Sequence, residues 1–242
     1  MRLLFGIALL AVSWAALPQN KAERHELIGK VGIRTALLTL HTGRRADGSW
    51  QVAGEYVVLA TLARRFVEGE SSPELGVTVL KEGTTPILFG RPPIAELHGT
   101  WRDGVFKGTR YGPGGQKREH FEFSEEFPAM DSYSANVRCE AKEGRYQAQL
   151  SLSVERGKLK SLDWRAVEPG GQTCKVVASG QQPLRGGLRF VSDGCRLTLR
   201  NTGELIALSA ENCSAHCGAE AHLEPLLVDR RGNCELLRLG AR

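Results

Sequence analysis

No cysteine occurs in the first 138 residues of this 242-residue chain, and none follows its apolar leader closely. That absence excludes a lipid-modified leader cysteine. Beyond the leader, no apolar run approaches the roughly 20 residues that a membrane helix needs. The processed chain is therefore expected in solution, without a membrane span. Short catalytic signatures are missing too. No G-x-S-x-G marks a nucleophile elbow, no H-E-x-x-H marks a zinc protease, and no C-x-x-C marks a thiol redox pair.

What is present begins with an export signal. Arg2 supplies a minimal positive charge, and Leu3 to Val12 form an apolar run of about ten residues, the usual length of a signal-peptide core. Ser13 and Ala15 are small residues suited to positions −3 and −1, so cleavage is expected after Ala15. The apolar stretch ends at Pro18-Gln19-Asn20-Lys21. The expected location is periplasmic or secreted.

The formal net charge is +5. Basic doublets at Arg44-Arg45, Arg64-Arg65, Lys117-Arg118 and Arg230-Arg231 are scattered among acids. A nucleic-acid binder would carry a stripe of Lys and Arg interleaved with aromatics, so no nucleic-acid partner is expected. Weak attraction to an anionic polymer or an acidic partner protein fits the balance better.

From Ile28 onward, short apolar runs alternate with Gly, Pro, Asp and charged residues, the mark of strands and turns. Strands are expected at Gly32–His41, Trp50–Ala60, Leu75–Glu82, Ile87–Phe89, Ile94–Trp101, Val105–Thr109 and Glu119–Ser124, after a polar lead-in over residues 16–26. The run from Tyr56 to Glu68 suits a strand that passes into a helical turn. Pro128 cannot donate to a ladder and restricts Phe127. A boundary is therefore expected there, giving a signal peptide over 1–15, a β-meander over 27–128 and a cysteine-containing β-barrel or sandwich over 131–242. In the second module Tyr146, Ala148, Leu150, Leu152 and Val154 alternate with polar residues in a strict period of two. Turn signals at Arg156-Gly157, Ser192-Asp193-Gly194 and Asn201-Thr202-Gly203 separate further strands. The expected fold class is all-β, two antiparallel β-meander domains. The second would be a meander of about six strands closing as a small barrel or sandwich, with a cysteine-rich tail carrying one hairpin.

The six cysteines are Cys139, Cys174, Cys195, Cys213, Cys217 and Cys234. An even count in an exported chain points to disulfides. The expected pairs are Cys174–Cys195, Cys217–Cys234 and Cys139–Cys213, tying nearby strands and closing the tail. The competing use is metal: Cys213, His216, Cys217, His222 and Cys234 are rich in sulfur and nitrogen ligands. Zinc knuckles space two cysteines closely twice over, however, and this chain does so once. No metal or cofactor is expected, and no catalytic residue is assigned.

The six histidines, His25, His41, His98, His120, His216 and His222, read as surface or packing residues. Glu55, Glu68, Glu70, Glu82, Glu96 and Glu122 are the acids from which a glycosidase-like pair would have to come. The glycine-rich stretch from Gly108 to Gly115 precedes a strand rather than a helix, so it is no phosphate cradle. It makes a candidate contact loop through Arg110 and Tyr111, both good interface residues.

Ile28-Gly29-Lys30-Val31-Gly32-Ile33, Gly54-Glu55-Tyr56, Leu80-Lys81-Glu82 and Gly99-Thr100-Trp101 occur in that order. Over roughly residues 27–124 the chain resembles a group of uncharacterised exported bacterial β-meander proteins marked by G-x-Y, L-x-E and G-T-W motifs. The resemblance implies export and an all-β fold, and carries over no catalytic residue. The expected function is an exported, non-enzymatic cell-envelope protein that binds another envelope protein or an anionic polymer. The alternatives are an inhibitor of a secreted enzyme such as lysozyme, although the S-G-x-x-Y loop of one inhibitor class is missing, and a hydrolase acting on envelope polymers.

Overall fold

The computed structural model describes residues 23–45, 48–72, 76–85, 92–178, 181–218 and 222–237. The apolar leader, its cleavage site and the strand expected at Ile87–Phe89 lie outside the described residues.

Eight antiparallel strands form the first half: β1 Glu23–Val31, β2 Arg34–Arg44, β3 Trp50–Val58, β4 Ala63–Ser72, β5 Val77–Gly83, β6 Ala95–Arg102, β7 Val105–Tyr111 and β8 Arg118–Ser124. Each pairs with the next, and β8 returns to β1, with Val31 opposite Phe121, so the sheet closes into a barrel. Period-two alternation turns Leu27, Leu38, Leu40, Leu80, Leu97, Phe106, Phe121 and Phe123 inward, where they are fully buried. Gly54 and Gly69 share that inward register. A Cβ on Gly54 would strike the Thr39 carbonyl, and one on Gly69 the Val79 carbonyl. Lacking side chains there, the strands can coil tightly enough to close.

Two barrel strands depart from the sequence expectation. The last four residues of the polar lead-in, 23–26, start β1, and Arg24 and Glu26 are polar there because they face the second half of the molecule. The segment from Tyr56 to Glu68 makes no helical turn. It ends β3, turns through Leu62 at a φ of 54°, and continues as β4. The alternation of β4 is masked because inward-register Arg65 lies 3.6 Å from buried Glu82 and Gly69 packs through its backbone.

The second half contains ten strands among the described residues: eight before the tail, where about six were expected, and the two of the expected tail hairpin. β9 Ala135–Glu143, β10 Tyr146–Glu155, β11 Lys158–Val167 and β12 Thr173–Ala178 make one antiparallel sheet. β13 Gln182–Leu184, β14 Gly187–Ser192, β15 Cys195–Asn201, β16 Leu205–Glu211, β17 Leu226–Asp229 and β18 Cys234–Leu236 make the other, with the short helix α1 Ser214–Cys217 after β16. Arg156-Gly157 and Asp193-Gly194 turn with positive φ at both residues, the two-residue hairpin geometry that suits twisted strands. The sheets close on a shared core in which Tyr146, Trp164, Val176, Leu199, Leu226 and Val228 are essentially inaccessible, as in a sandwich.

The barrel covers the outer face of the second sheet. Ile28, Leu37, Val57 and Leu59 on the barrel exterior meet Ala207, Leu227 and Leu237, with Phe127 of the connecting segment filling the seam. That second cover explains why β16 and β17 are buried almost continuously instead of on alternate residues. Asn201 Nδ2 donates to the Ala129 carbonyl at 2.7 Å and pins the connection.

Candidate binding cleft

Beside the apolar seam the barrel and the second sheet diverge, leaving a cleft of about 960 Å³. Its floor is the outer face of the second sheet. Arg196, Thr198 and Arg200 alternate along β15, Arg189 stands on β14 opposite Thr198, and Ser209 and Glu211 stand on β16. The opposite wall is mostly acidic: Glu23 and Glu26 of β1, Asp103 in the β6–β7 turn, and Glu125 and Glu126 after β8, with Arg24 and His25 set among them. The two halves thus bring opposite charge to one space, a basic floor from the sandwich and an acidic wall from the barrel.

Part of this charge is paired across the seam. Arg24 donates to Glu26 at 2.7 Å and to Glu211 at 3.0 Å, and Arg196 reaches Glu211 at 3.4 Å. Arg185 pairs with Glu126 at 2.6 Å. Arg200 donates to the Arg185 carbonyl at 2.8 Å, lies 3.7 Å from Glu26, and stacks over the Phe127 ring. Burial holds the Arg200 pKa below its ordinary value; Glu26 pushes it up, and neighbouring Arg189 lowers it further. The Arg189 Nε is buried and has no hydrogen-bond partner. A buried guanidinium nitrogen without a partner is costly. Two neighbouring arginines stabilise an anion placed between them.

The six cysteines form three disulfides, with pairings other than those expected: Cys139–Cys234, Cys174–Cys217 and Cys195–Cys213. Cys174 and Cys195 lie on strands of different sheets, and each bonds a cysteine of the α1 segment rather than the other. Cys139–Cys234 joins edge strand β9 of one sheet to edge strand β18 of the other. Cys174, on the opposite edge strand β12, reaches α1 instead of the tail hairpin. Arg196 lies opposite Glu211 in the β15–β16 ladder, which brings Cys195 beside Cys213 just past the strand end. With all six sulfurs bonded, the cluster around Cys213 offers no thiolate to zinc. His216 instead lies 3.1 Å from the Ser192 carbonyl, and His222 lies 2.7 Å from Glu224.

The two residues of the candidate contact loop are placed differently. Arg110 is the penultimate residue of β7 and points into the barrel, where Glu82 and Glu119 bind its guanidinium. Tyr111 stays near the surface, edge-on to His98 and beneath Arg118. None of the six acids considered for a glycosidase-like pair lines the cleft. Sequence reading missed the cleft arginines. The one local signal was the one-face spacing Arg196-x-Thr198-x-Arg200, whose meaning depends on which element covers that face.

A closed eight-stranded antiparallel barrel packed on a disulfide-bonded β-sandwich is the class of molecule defined here. No family model matches the chain, and neither the curated proteins nor the solved structures contain a significant match.

Proposed function

We propose that this chain is an exported, non-enzymatic binding protein of the cell envelope, and that it holds an anionic group of its ligand on the arginine floor of the inter-module cleft. The observation that carries this reading is Arg189: a guanidinium beside Arg200 that lines the cleft of about 960 Å³ and whose Nε is buried without a partner. Three disulfides fit an oxidising compartment, and the motif resemblance of the first half points the same way. No described helix is long and apolar enough to cross a membrane. The disulfides and the leader support a periplasmic or secreted location.

The ligand class is a polymer or protein segment bearing carboxylate, sulfate or phosphate groups. The acidic wall favours one that also carries a cationic or neutral portion. Calorimetry of the oxidised protein with oligogalacturonate, dextran sulfate, polyphosphate and neutral dextran tests it. Binding to at least one anionic probe, weakened about tenfold or more by R189Q with the thermal midpoint retained, is the expected result. Equal binding by wild type and R189Q, or no binding to any anion at low salt, would overturn it.

A further inference from the structure

The barrel carries a further concavity at the end where Trp50, Ser71 and Trp101 lie. The interior is packed from the Leu27, Leu40 and Leu80 level down to the Glu82–Arg110 pair, but above that packing lies a cup of about 260 Å³. Its walls are the indoles of Trp50 and Trp101 and the imidazole of His25. Its hydroxyls come from Thr42, Ser71 and Thr78. Register places these groups together: Trp50 lies opposite Ser71, Ser71 opposite Thr78, and Thr42 opposite Val52.

The chemistry of the cup is specific. Trp101 is backed by Phe106 in a stack at 5.8 Å and meets the His25 ring edge-on at 4.8 Å, so its indole is held in place. Ser71 Oγ and Thr78 Oγ1 are 2.9 Å apart and share one hydrogen, which leaves the pair a further O–H donor and free lone pairs. His25 Nε2 lies 3.3 Å from Thr42 Oγ1, and its Nδ1 lies 3.3 Å from Glu125. Leu27, Leu40 and Leu80 fill the barrel below the cup, which leaves no apolar bore for an extended acyl chain. Flat indole surface together with neutral hydroxyls suits a compact ring with one apolar face and hydroxyl edges.

We propose that the barrel mouth is a binding site for one neutral sugar ring, stacked on tryptophan and hydrogen-bonded through the Thr42, Ser71 and Thr78 hydroxyls. Glu23 and His25 line both this cup and the arginine cleft, so a longer glycan seated at the mouth has a continuous path towards the basic floor. The site goes beyond the cleft reading and stands whether or not the cleft holds an anion.

The test uses the indole N–H resonances of the oxidised protein, titrated with glucose, N-acetylglucosamine and their β-1,4-linked tetramers, and in parallel with tetramethylammonium and octanol. Trp164, fully buried in the sandwich core, is the internal reference. Saturable shifts of Trp50 and Trp101 with a saccharide and none at Trp164 are expected. S71A should weaken binding about threefold to tenfold, the worth of one net hydrogen bond, and W50A should abolish it. S71A is the safeguard if W50A does not fold. Shifts with tetramethylammonium or octanol but not with saccharides, equal shifts at Trp164, saccharide binding unaffected by S71A, or no response to any saccharide would each overturn the proposal.

Discussion

Arg110 and Glu82 form a two-pronged ion pair inside the barrel, with Arg110 Nε to Glu82 Oε2 at 2.6 Å and Arg110 Nη2 to Glu82 Oε1 at 2.8 Å. Glu82 is fully buried, and Arg110 also donates to Glu119 at 2.8 Å. The hydrogen bond to Glu82 raises the Arg110 pKa above its ordinary value, so the guanidinium stays charged despite partial burial. Burial, reinforced by Glu82, pushes the Tyr56 hydroxyl up as well and keeps it protonated. One end of the barrel is thus organised around charge, while its middle is organised around Leu and Phe.

Breaking that pair leaves an uncompensated charge in an apolar surround. R110M is expected to destabilise the protein by about 3–5 kcal/mol, and the double variant R110M/E82L by clearly less than R110M alone. Urea unfolding followed by tryptophan fluorescence checks both. A double variant as damaged as the single one would show that the pair itself, not the stranded charge, carries the stability.

Glu55 sits on the barrel exterior at the seam, only 4% exposed, and lies 3.3 Å from Arg64. Burial raises its pKa from 4.5 to about 7; Arg64 opposes the rise and Glu224 of the sandwich adds to it. The folded protein therefore holds this proton more tightly than the unfolded chain does. The contribution of Glu55 to stability is most favourable below about pH 4.5, declines as pH rises towards about 7, and is flat above. The loss amounts to at most about 3 kcal/mol. In E55Q this segment of the pH–stability curve should flatten. An unchanged curve from pH 4.5 to 7 would rule out Glu55 as its source.

The three disulfides close stretches of very different length. Cys139 and Cys234 are 95 residues apart, Cys195 and Cys213 only 18. The nested Cys174–Cys217 bridge shortens the stretch that Cys139–Cys234 closes, so if bridging acts by restricting the unfolded chain, C139S/C234S should cost about 1 kcal/mol more than C195S/C213S. Denaturant midpoints with matched slopes measure the difference. A reversed order would mean that native packing around Cys195 outweighs the entropy of the longer loop.

Closure of the barrel depends on bare backbone at the coiled strands. G54A is expected to destabilise by about 2–4 kcal/mol, because its methyl group would collide with the Thr39 carbonyl. Gly43 has open space around its Cβ direction and no positive φ, so G43A should be neutral or slightly stabilising. Thermal midpoints of the two variants provide the comparison.

Strand positions were legible wherever one face was uniformly apolar. Tyr146 to Val154 reads as a strand in the sequence and is β10 in the molecule. β1 and β4 were not legible, because Arg24, Glu26 and Arg65 are polar residues whose partners come from distant strands. The cleft was illegible for the same reason: the meaning of Arg189 depends on the barrel that stands opposite it.

By itself the amino-acid order determined the local features: period-two strands, turns at Arg156-Gly157 and Asp193-Gly194, and six cysteines able to pair among themselves. Those follow from side-chain alternation and backbone sterics within a few residues. Only the tertiary structure decided which cysteines meet, that β8 closes onto β1, and that arginines of one half face acids of the other. Those outcomes rest on contacts between residues far apart in the chain, which local preferences do not encode.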